Sequence, residues 1–386
     1  MKYCSNCGKP MDDKDVFCGN CGKKSEITGG TEAGSTPPPF QGGMGFSGWQ
    51  QPFQGQRTAG KNNSSIIGSI NEYMGNDKPV NLNWKDLFVD VFKHHTVADA
   101  EEIFVCGTER TTPPLSAVTS TWPRPWLYSR VFLVFAISCI ILVVSYNLWG
   151  NINMIPGIMA VGSFAVPLTT MVLFLEVNAY RDISVFKLIV VFLVGGCASL
   201  LATMIFYTVF PSSVDFAGAA IVGIVEELGK LVIVYISLSK LPRCSHILGG
   251  LLIGSAIGAG FAAFESAGYA FNYLLLTQGD VGFMLDLILM RGVLAPGGHV
   301  TWAAITGAAL MIAKGNAPLS LDTLVSPRFL KLFAIPVVLH AVWDMPISIG
   351  EEIYLMPIIL TVIVWIVVMI LINMGLDEVK RNKSVY

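Results

Sequence analysis

Phe216–Ser239 reads FAGAAIVGIVEELGKLVIVYISLS. It has the length of a membrane-spanning helix, roughly 20 residues. Two carboxylates and an ammonium group nevertheless sit in its middle: Glu226, Glu227 and Lys230. A charge at the bilayer centre costs at least ~2.5 kcal/mol on insertion scales, and such groups face a protein interior or a water-filled cavity. Glu226 and Lys230 are spaced i,i+4 with the acid first, the favourable order, so this spacing predicts that they pair. Glu227 projects about 100° away round the axis. A lone ion pair that locks a helix bundle is the plainer reading. A functional centre requires polar partners from other spans.

The rest of the chain supports a membrane setting. Charged residues make up 13% of the 386 residues, whereas a soluble domain carries about 25%. The net charge of −2 gives no reason to expect a nucleic-acid partner. The first third is polar, and a series of apolar runs follows. Residues 1–24 lack the apolar core of a signal peptide. The fold class expected is an all-α polytopic membrane protein with about eight transmembrane helices and a small N-terminal zinc ribbon.

The ribbon rests on Cys4-Ser-Asn-Cys7-Gly and Cys18-Gly-Asn-Cys21-Gly. Four thiolates at this spacing can surround one structural Zn²⁺ tetrahedrally, and the glycines permit the tight turns. Two disulfides are the alternative, disfavoured without an extracellular cue. So small a segment needs metal to fold. It points to a reducing, cytoplasmic side. Cys106, Cys139, Cys197 and Cys244 are scattered and read as buried or juxtamembrane thiols.

Five segments follow from composition: a zinc ribbon at 1–24, a Gly/Pro/Gln-rich linker at 25–83, a juxtamembrane helical segment at 84–126, a membrane domain at 127–376 and a tail at 377–386. A flexible linker of ~60 residues reaches roughly 40–45 Å, far enough for the ribbon to meet a cytoplasmic protein partner. In the juxtamembrane segment Leu87, Phe88, Val91 and Phe92 have the spacing of an apolar helix face. Thr96 or Asp99 can cap a second helix. His94 and His95 read as solvated. The run Trp122-Pro-Arg-Pro-Trp126 suits a membrane interface.

Spans are expected near 130–149, 155–175, 185–210, 216–239, 246–276, 297–313, 329–346 and 353–374. Arg124, Arg130, Arg181, Lys187, Lys240, Arg243, Lys314, Arg328, Lys331, Lys380, Arg381 and Lys383 fall on one side. The connections 150–154, 211–215, 277–281 and 348–352 hold neither Lys nor Arg. The positive-inside rule then puts both termini in the cytoplasm and the chain in the cell membrane. Residues 282–294 are apolar but short and contain Asp286 and Arg291, and Pro296-Gly297-Gly298 breaks any helix after them. They read as a helix dipping into the outer side, or else as part of one kinked span.

Few other ionisable groups lie inside the spans. Glu265 follows Phe261 at i,i+4, His299 follows the Pro-Gly-Gly break, and His340 and Asp344 are again i,i+4. At 1.5 Å per residue, Glu226 and Glu265 lie ~15 Å below the outer ends of their helices, His340 roughly 9–11 Å below, and His299 near the mouth. Lys and Arg alone fixed that topology. Independent ion pairs have no reason to share a level. Carboxylates and imidazoles in a wet cavity can hydrolyse a bond: a Glu as base towards water, His as donor to an oxyanion or as metal ligand.

Glu226-Glu227-x-x-Lys230, Phe261-x-x-x-Glu265, the lone His299 and His340-x-x-Trp343-Asp344 resemble, in order, the motifs of PrsW-type intramembrane proteases. The likeness covers the membrane domain, about 130–374. It extends to the CAAX-protease-like superfamily, from which the chain differs at Lys230, Glu265 and Asp344. The resemblance implies an intramembrane endopeptidase that cleaves single-pass membrane proteins, typically anti-sigma factors, on the extracytoplasmic side. It implies Glu226 as the base, His299 and His340 as oxyanion donors, Glu265 and Asp344 as their orienters, and Glu227 and Lys230 as tuning groups. A metalloprotease with catalytic zinc on His299 and His340 is an alternative, although no H-E-x-x-H is present. A membrane scaffold or sensor without enzymatic activity is another. A proton-coupled transporter is the third, and it lacks an inverted repeat.

Overall fold

The computed structural model describes residues 2–3, 10–11, 66–80, 82–241, 244–347 and 354–384. The expectations for Cys4, Cys7, Cys18 and Cys21, for most of the linker, for Arg243 and for the 348–352 connection lie outside these residues. The chain forms two compact units, Met1–Gly60 and Lys61–Tyr386. In the first, Lys2–Tyr3 (β1) pairs antiparallel with Pro10–Met11 (β2).

The second unit is helical. Ile66–Tyr73 (α1) and Val97–Val105 (α2) precede the bundle. Then come Leu127–Trp149 (α3), Ile155–Val177 (α4), Val185–Val190 (α5) and Gly196–Val209 (α6). They are followed by Phe216–Ser239 (α7), Ile247–Leu276 (α8), Val281–Leu294 (α9) and His299–Lys314 (α10). Leu321–Val325 (α11), Pro327–Asp344 (α12) and Leu355–Ser384 (α13) complete the order. Six helical stretches among the described residues are long and apolar enough to cross a membrane. They are Leu127–Trp149, Ile152–Val177, Val185–Val209, Ile247–Leu276, Val281–Lys314 and Leu355–Ser384. Helices α7 and α12 are of similar length but carry charges: Glu226, Glu227 and Lys230 on one, Arg328, Lys331 and Asp344 on the other. With them the eight expected spans all have a helix.

Helix α8 is the centre of the bundle, its apolar stretch almost wholly buried, and it packs on α4, α6, α7 and α10. Against α10 the two backbones touch. A Cβ on Gly254 would lie 2.0 Å from the Ala303 carbonyl oxygen, one on Gly258 2.2 Å from that of His299, and one on Gly307 2.0 Å from that of Gly250. Small residues permit this approach, which lipid alone would not drive. Helix α3 is the opposite case. No part of its apolar stretch is buried. Its first turn is held instead by Glu176 of α4, whose carboxylate accepts from the backbone N–H of Trp126, Leu127 and Tyr128 at 2.8, 2.8 and 2.9 Å.

Residues 281–294 form a helix of their own, packed on α4 and α8. A single 3₁₀ turn, Ala295–Gly297, separates it from α10. The break is pinned by α13: Trp365 Nε1 donates to the Pro296 carbonyl at 3.0 Å, and Gly297 lies where a Cβ would strike Thr361.

The juxtamembrane segment differs from expectation. A 3₁₀ turn at Trp84–Leu87 replaces the first helix, and of its apolar face only Leu87 is buried, while Phe88 and Phe92 are exposed. The chain then folds back on itself. His95 is therefore not solvated: its ring stacks on Trp126 at 3.7 Å and its Nε2 donates to the Asp90 carbonyl at 2.8 Å. Thr96 and Asp99 share the capping of α2 as a reciprocal box.

At the end of α4 opposite its start, Asp182 accepts from His246 Nε2 at 2.8 Å and from Asn178 at 3.0 Å. Burial pushes the Asp182 carboxyl up, but the bond and charge of His246 outweigh it and hold it below its ordinary value. His246 Nδ1 accepts from Gly249 N–H, capping α8. The thiols Cys106, Cys139, Cys197 and Cys244 are free.

Candidate active site

Four helices deliver the polar residues to one place. Glu226, Glu227 and Lys230 come from the middle of α7, Glu265 from α8, His299 from the first turn of α10, and His340 and Asp344 from the last turns of α12. All lie toward the same end of the bundle, the end at which the α6–α7 loop and α9 sit. They line or adjoin a cavity of about 480 Å³, whose wall includes Val214, Glu226, Arg291, His299, Trp343 and Asp344. A larger cavity of about 750 Å³ lies beside Trp122, Trp126 and the end of α4, and no imidazole lines it. Chemistry rather than size singles out the smaller one.

The ion pair within α7 differs from the helical-spacing expectation. Lys230 Nζ lies 2.6 Å from Glu227 Oε1, at i,i+3, and both side chains are fully buried. Glu226 is left to the cavity. The reason lies in neighbouring helices: Lys230 also donates to His299 Nδ1 at 2.9 Å and stands over the Phe261 ring at 4.6 Å, so α8 and α10 draw it round the axis. Tyr207 of α6 donates its hydroxyl to Glu226 Oε1 at 3.2 Å. Glu226 Oε2 is buried without a hydrogen-bond partner among the described residues.

Each imidazole has a carboxylate behind it. His299 Nε2 donates to Glu265 Oε2 at 3.0 Å, and His340 Nδ1 donates to Glu227 Oε1 at 2.8 Å. These partners set the ring orientation and tautomer. The opposite nitrogens turn toward Glu226 Oε2: His299 Nδ1 at 4.0 Å and His340 Nε2 at 3.6 Å. His340 Nε2 also lies 3.2 Å from Asp344 Oδ2. Trp302 stacks on His340 with centroids 4.3 Å apart, and the two imidazole centroids are 5.0 Å apart.

These atoms fit a divalent metal. One ligand atom each from Glu226, His299 and His340 lies within 4.8 Å of the others. The orphaned Glu226 oxygen, His340 Nε2 and His299 Nδ1, once Lys230 releases that nitrogen, make an N,N,O donor set suited to zinc. The carboxylates on the far ring nitrogens are the usual outer partners of metal-bound histidines.

Three groups at or beside the cavity have roles the sequence did not reveal. Arg291 of α9 donates to Glu265 Oε2 and to Ser266 Oγ, the latter at 2.8 Å, and lies over the Tyr269 ring at 4.6 Å. Tyr207 belongs to no charge pattern, and nothing in the sequence would have found it. Trp302 stands three residues after His299, on the same helical face, and that spacing was a usable signal.

Carboxylates and imidazoles sunk within membrane-length helices give the chain the makings of a membrane-embedded active site. Residues 185–372 match the family described as PrsW family intramembrane metalloprotease, and residues 3–25 match a zinc-ribbon domain. Residues 185–372 thus match the PrsW family, a match that implies an intramembrane endopeptidase, and a zinc ribbon stands at the N-terminus. Both matches point to zinc. No curated protein and no solved structure matches the chain.

Proposed function

We propose that the protein hydrolyses a peptide bond in single-pass membrane proteins of the anti-sigma-factor kind, on the extracytoplasmic side, with Glu226, His299 and His340 at the reacting centre. The convergence of the two imidazoles on one partnerless oxygen of Glu226 carries the reading. Tyr207 fixes Glu226 through Oε1 and leaves Oε2 free to take a proton from an attacking water. His340 Nε2 faces the place where the substrate's carbonyl oxygen gathers charge, and the Lys230 ammonium, bonded to His299 Nδ1 on that same side, adds positive field there. Glu265 holds His299 and Glu227 holds His340 from the far side while also balancing Lys230; Asp344, expected as an orienter, instead adjoins His340 Nε2 on the reacting side.

Zinc bound at Glu226, His299 and His340 would polarise the scissile carbonyl and acidify the attacking water. The carboxylate behind each ring supports that metal-dependent form of the same reaction. The connections near the site lack Lys and Arg, which favours an outward-facing centre, cytoplasmic termini and residence in the cell membrane. Cys4, Cys7, Cys18 and Cys21 then hold a structural zinc on the cytoplasmic side, where the ribbon and its linker offer a docking point for a protein partner.

The test is cleavage of a single-pass substrate by the full chain in liposomes. Glu226→Gln abolishes product while the protein remains folded; unchanged turnover refutes the assignment. Metal analysis of a full-length variant with the four ribbon cysteines replaced by Ser separates the two forms. One equivalent of zinc, lost in His340→Ala, identifies the metalloprotease, and none identifies the glutamate-based form.

A further inference from the structure

A second site lies at the opposite end of α7, away from the polar centre. The π-turn Val191–Gly195 between α5 and α6 widens that helix, and the groove between it and α7 holds a cavity of about 360 Å³. Its wall is almost wholly apolar: Val190, Val194 and Ala198 on one side, Ile233 and Ile236 on the other. Val194 and Ile236 remain exposed on the lipid-facing surface. Lys187, Lys240 and Leu241 line this groove and also a second cavity of about 430 Å³ beyond its mouth. Thr108 and Ser184 bring hydroxyls to that second cavity.

Both lysine side chains lack an ion pair or hydrogen bond among the described residues, whereas the acids nearby are engaged. Asp182 is held by His246 and Asn178, and Glu109 is likewise partnered. The arrangement is thus an apolar slot open to the bilayer, with two uncommitted ammonium groups where the slot meets the membrane surface.

We propose that this groove binds an anionic phospholipid, its acyl chain lying between α5–α6 and α7 and its phosphate between Lys187 and Lys240. Charge complementarity selects the occupant. A neutral chain would fill the slot but leave both ammonium groups without a counterion, and a free phosphate would leave the apolar wall uncovered. The bound lipid braces α7, whose middle carries Glu226, Glu227 and Lys230, at its far end.

The experiment is native mass spectrometry of the full chain in detergent, titrated with dioleoyl phosphatidylglycerol, dioleoyl phosphatidylcholine or glycerol phosphate. The wild type is expected to retain phosphatidylglycerol in preference to phosphatidylcholine and to ignore glycerol phosphate. Lys187→Gln with Lys240→Gln should weaken phosphatidylglycerol binding on the order of 30-fold. Val194→Trp, which fills the slot from its lipid-facing side without touching the charges, should lower retention of both lipids. Equal phosphatidylglycerol binding by wild type and the double-lysine variant overturns the proposal. Competition by glycerol phosphate as strong as by the lipid does so too, by reducing the site to an adventitious anion contact. Retention unaffected by Val194→Trp also rejects it, because the chain would then lie elsewhere.

Discussion

Replacing Gly258 by Ala moves the reacting centre without touching any polar side chain. The added Cβ would lie 2.2 Å from the His299 carbonyl oxygen and 2.8 Å from the Ala303 Cβ. A carbon normally approaches a carbonyl oxygen to about 3.3 Å, so the first turn of α10 must retreat by about 1 Å. Overpacking of this size destabilises by typically about 1–3 kcal/mol, which leaves the bundle folded. The retreat carries the His299 ring away from Glu226 Oε2, already 4.0 Å distant, and from Glu265 at 3.0 Å. A misplacement of about 1 Å reduces turnover on the order of 100-fold. The assay is single-turnover cleavage of a membrane-anchored substrate by the full chain in liposomes, with Gly268→Ala as control. Gly268 lies on the same helix, and nothing stands within 4 Å of a Cβ built there. If Gly258→Ala cleaves within threefold of the control, the claim that α8–α10 backbone contact sets the site geometry is wrong.

Further outcomes follow from the same contacts. Arg291→Met frees Glu265 and should slow turnover roughly 10-fold to 100-fold, the usual effect of losing an outer partner of a reacting group; a change confined to KM would instead make Arg291 a substrate contact. Lys230→Met leaves Glu227 charged and buried with His340 as its remaining partner, and should destabilise by about 3 kcal/mol in denaturant titration, whereas Lys230→Met with Glu227→Gln recovers much of the loss. Asp182 has a lowered carboxyl pKa, so its contribution to stability is complete above its unfolded value of 3.8 and is lost as pH falls through the lower folded value. The melting temperature of the wild type should therefore drop more steeply than that of Asp182→Asn as the pH falls from 3.8 through the lower folded value. Equal slopes would remove Asp182 from the account.

Much of the architecture was legible because oil leaves few options. Long apolar runs must be helices, so the eight expected spans each correspond to a helix. The convergence of Glu226, Glu265, His299 and His340 was legible for a related reason: ionisable groups in lipid need shared company. Pairing was not. Spacing along α7 matched Glu226 with Lys230, but Lys230 answers to His299 and Phe261 on other helices, and its bond goes to Glu227. Local periodicity contains no information about such neighbours. Residues 84–95 failed differently: their apolar spacing suits a helix, yet Trp126 captures His95 and the chain turns instead. Tyr207 is one hydroxyl on a lipid-facing helix, and only the tertiary fold gives it a partner.

Where α8 and α10 meet, peptide planes rest on one another with little side chain between them to yield. A joint of that kind acts as a fixed ruler. Under the proposed function His299 is held at one level, and a substrate segment would have to arrive at that level and be unwound there before its amide could be reached. Recognition then selects for depth and for local weakness of a helix, and two targets with little sequence in common could be cut equally well.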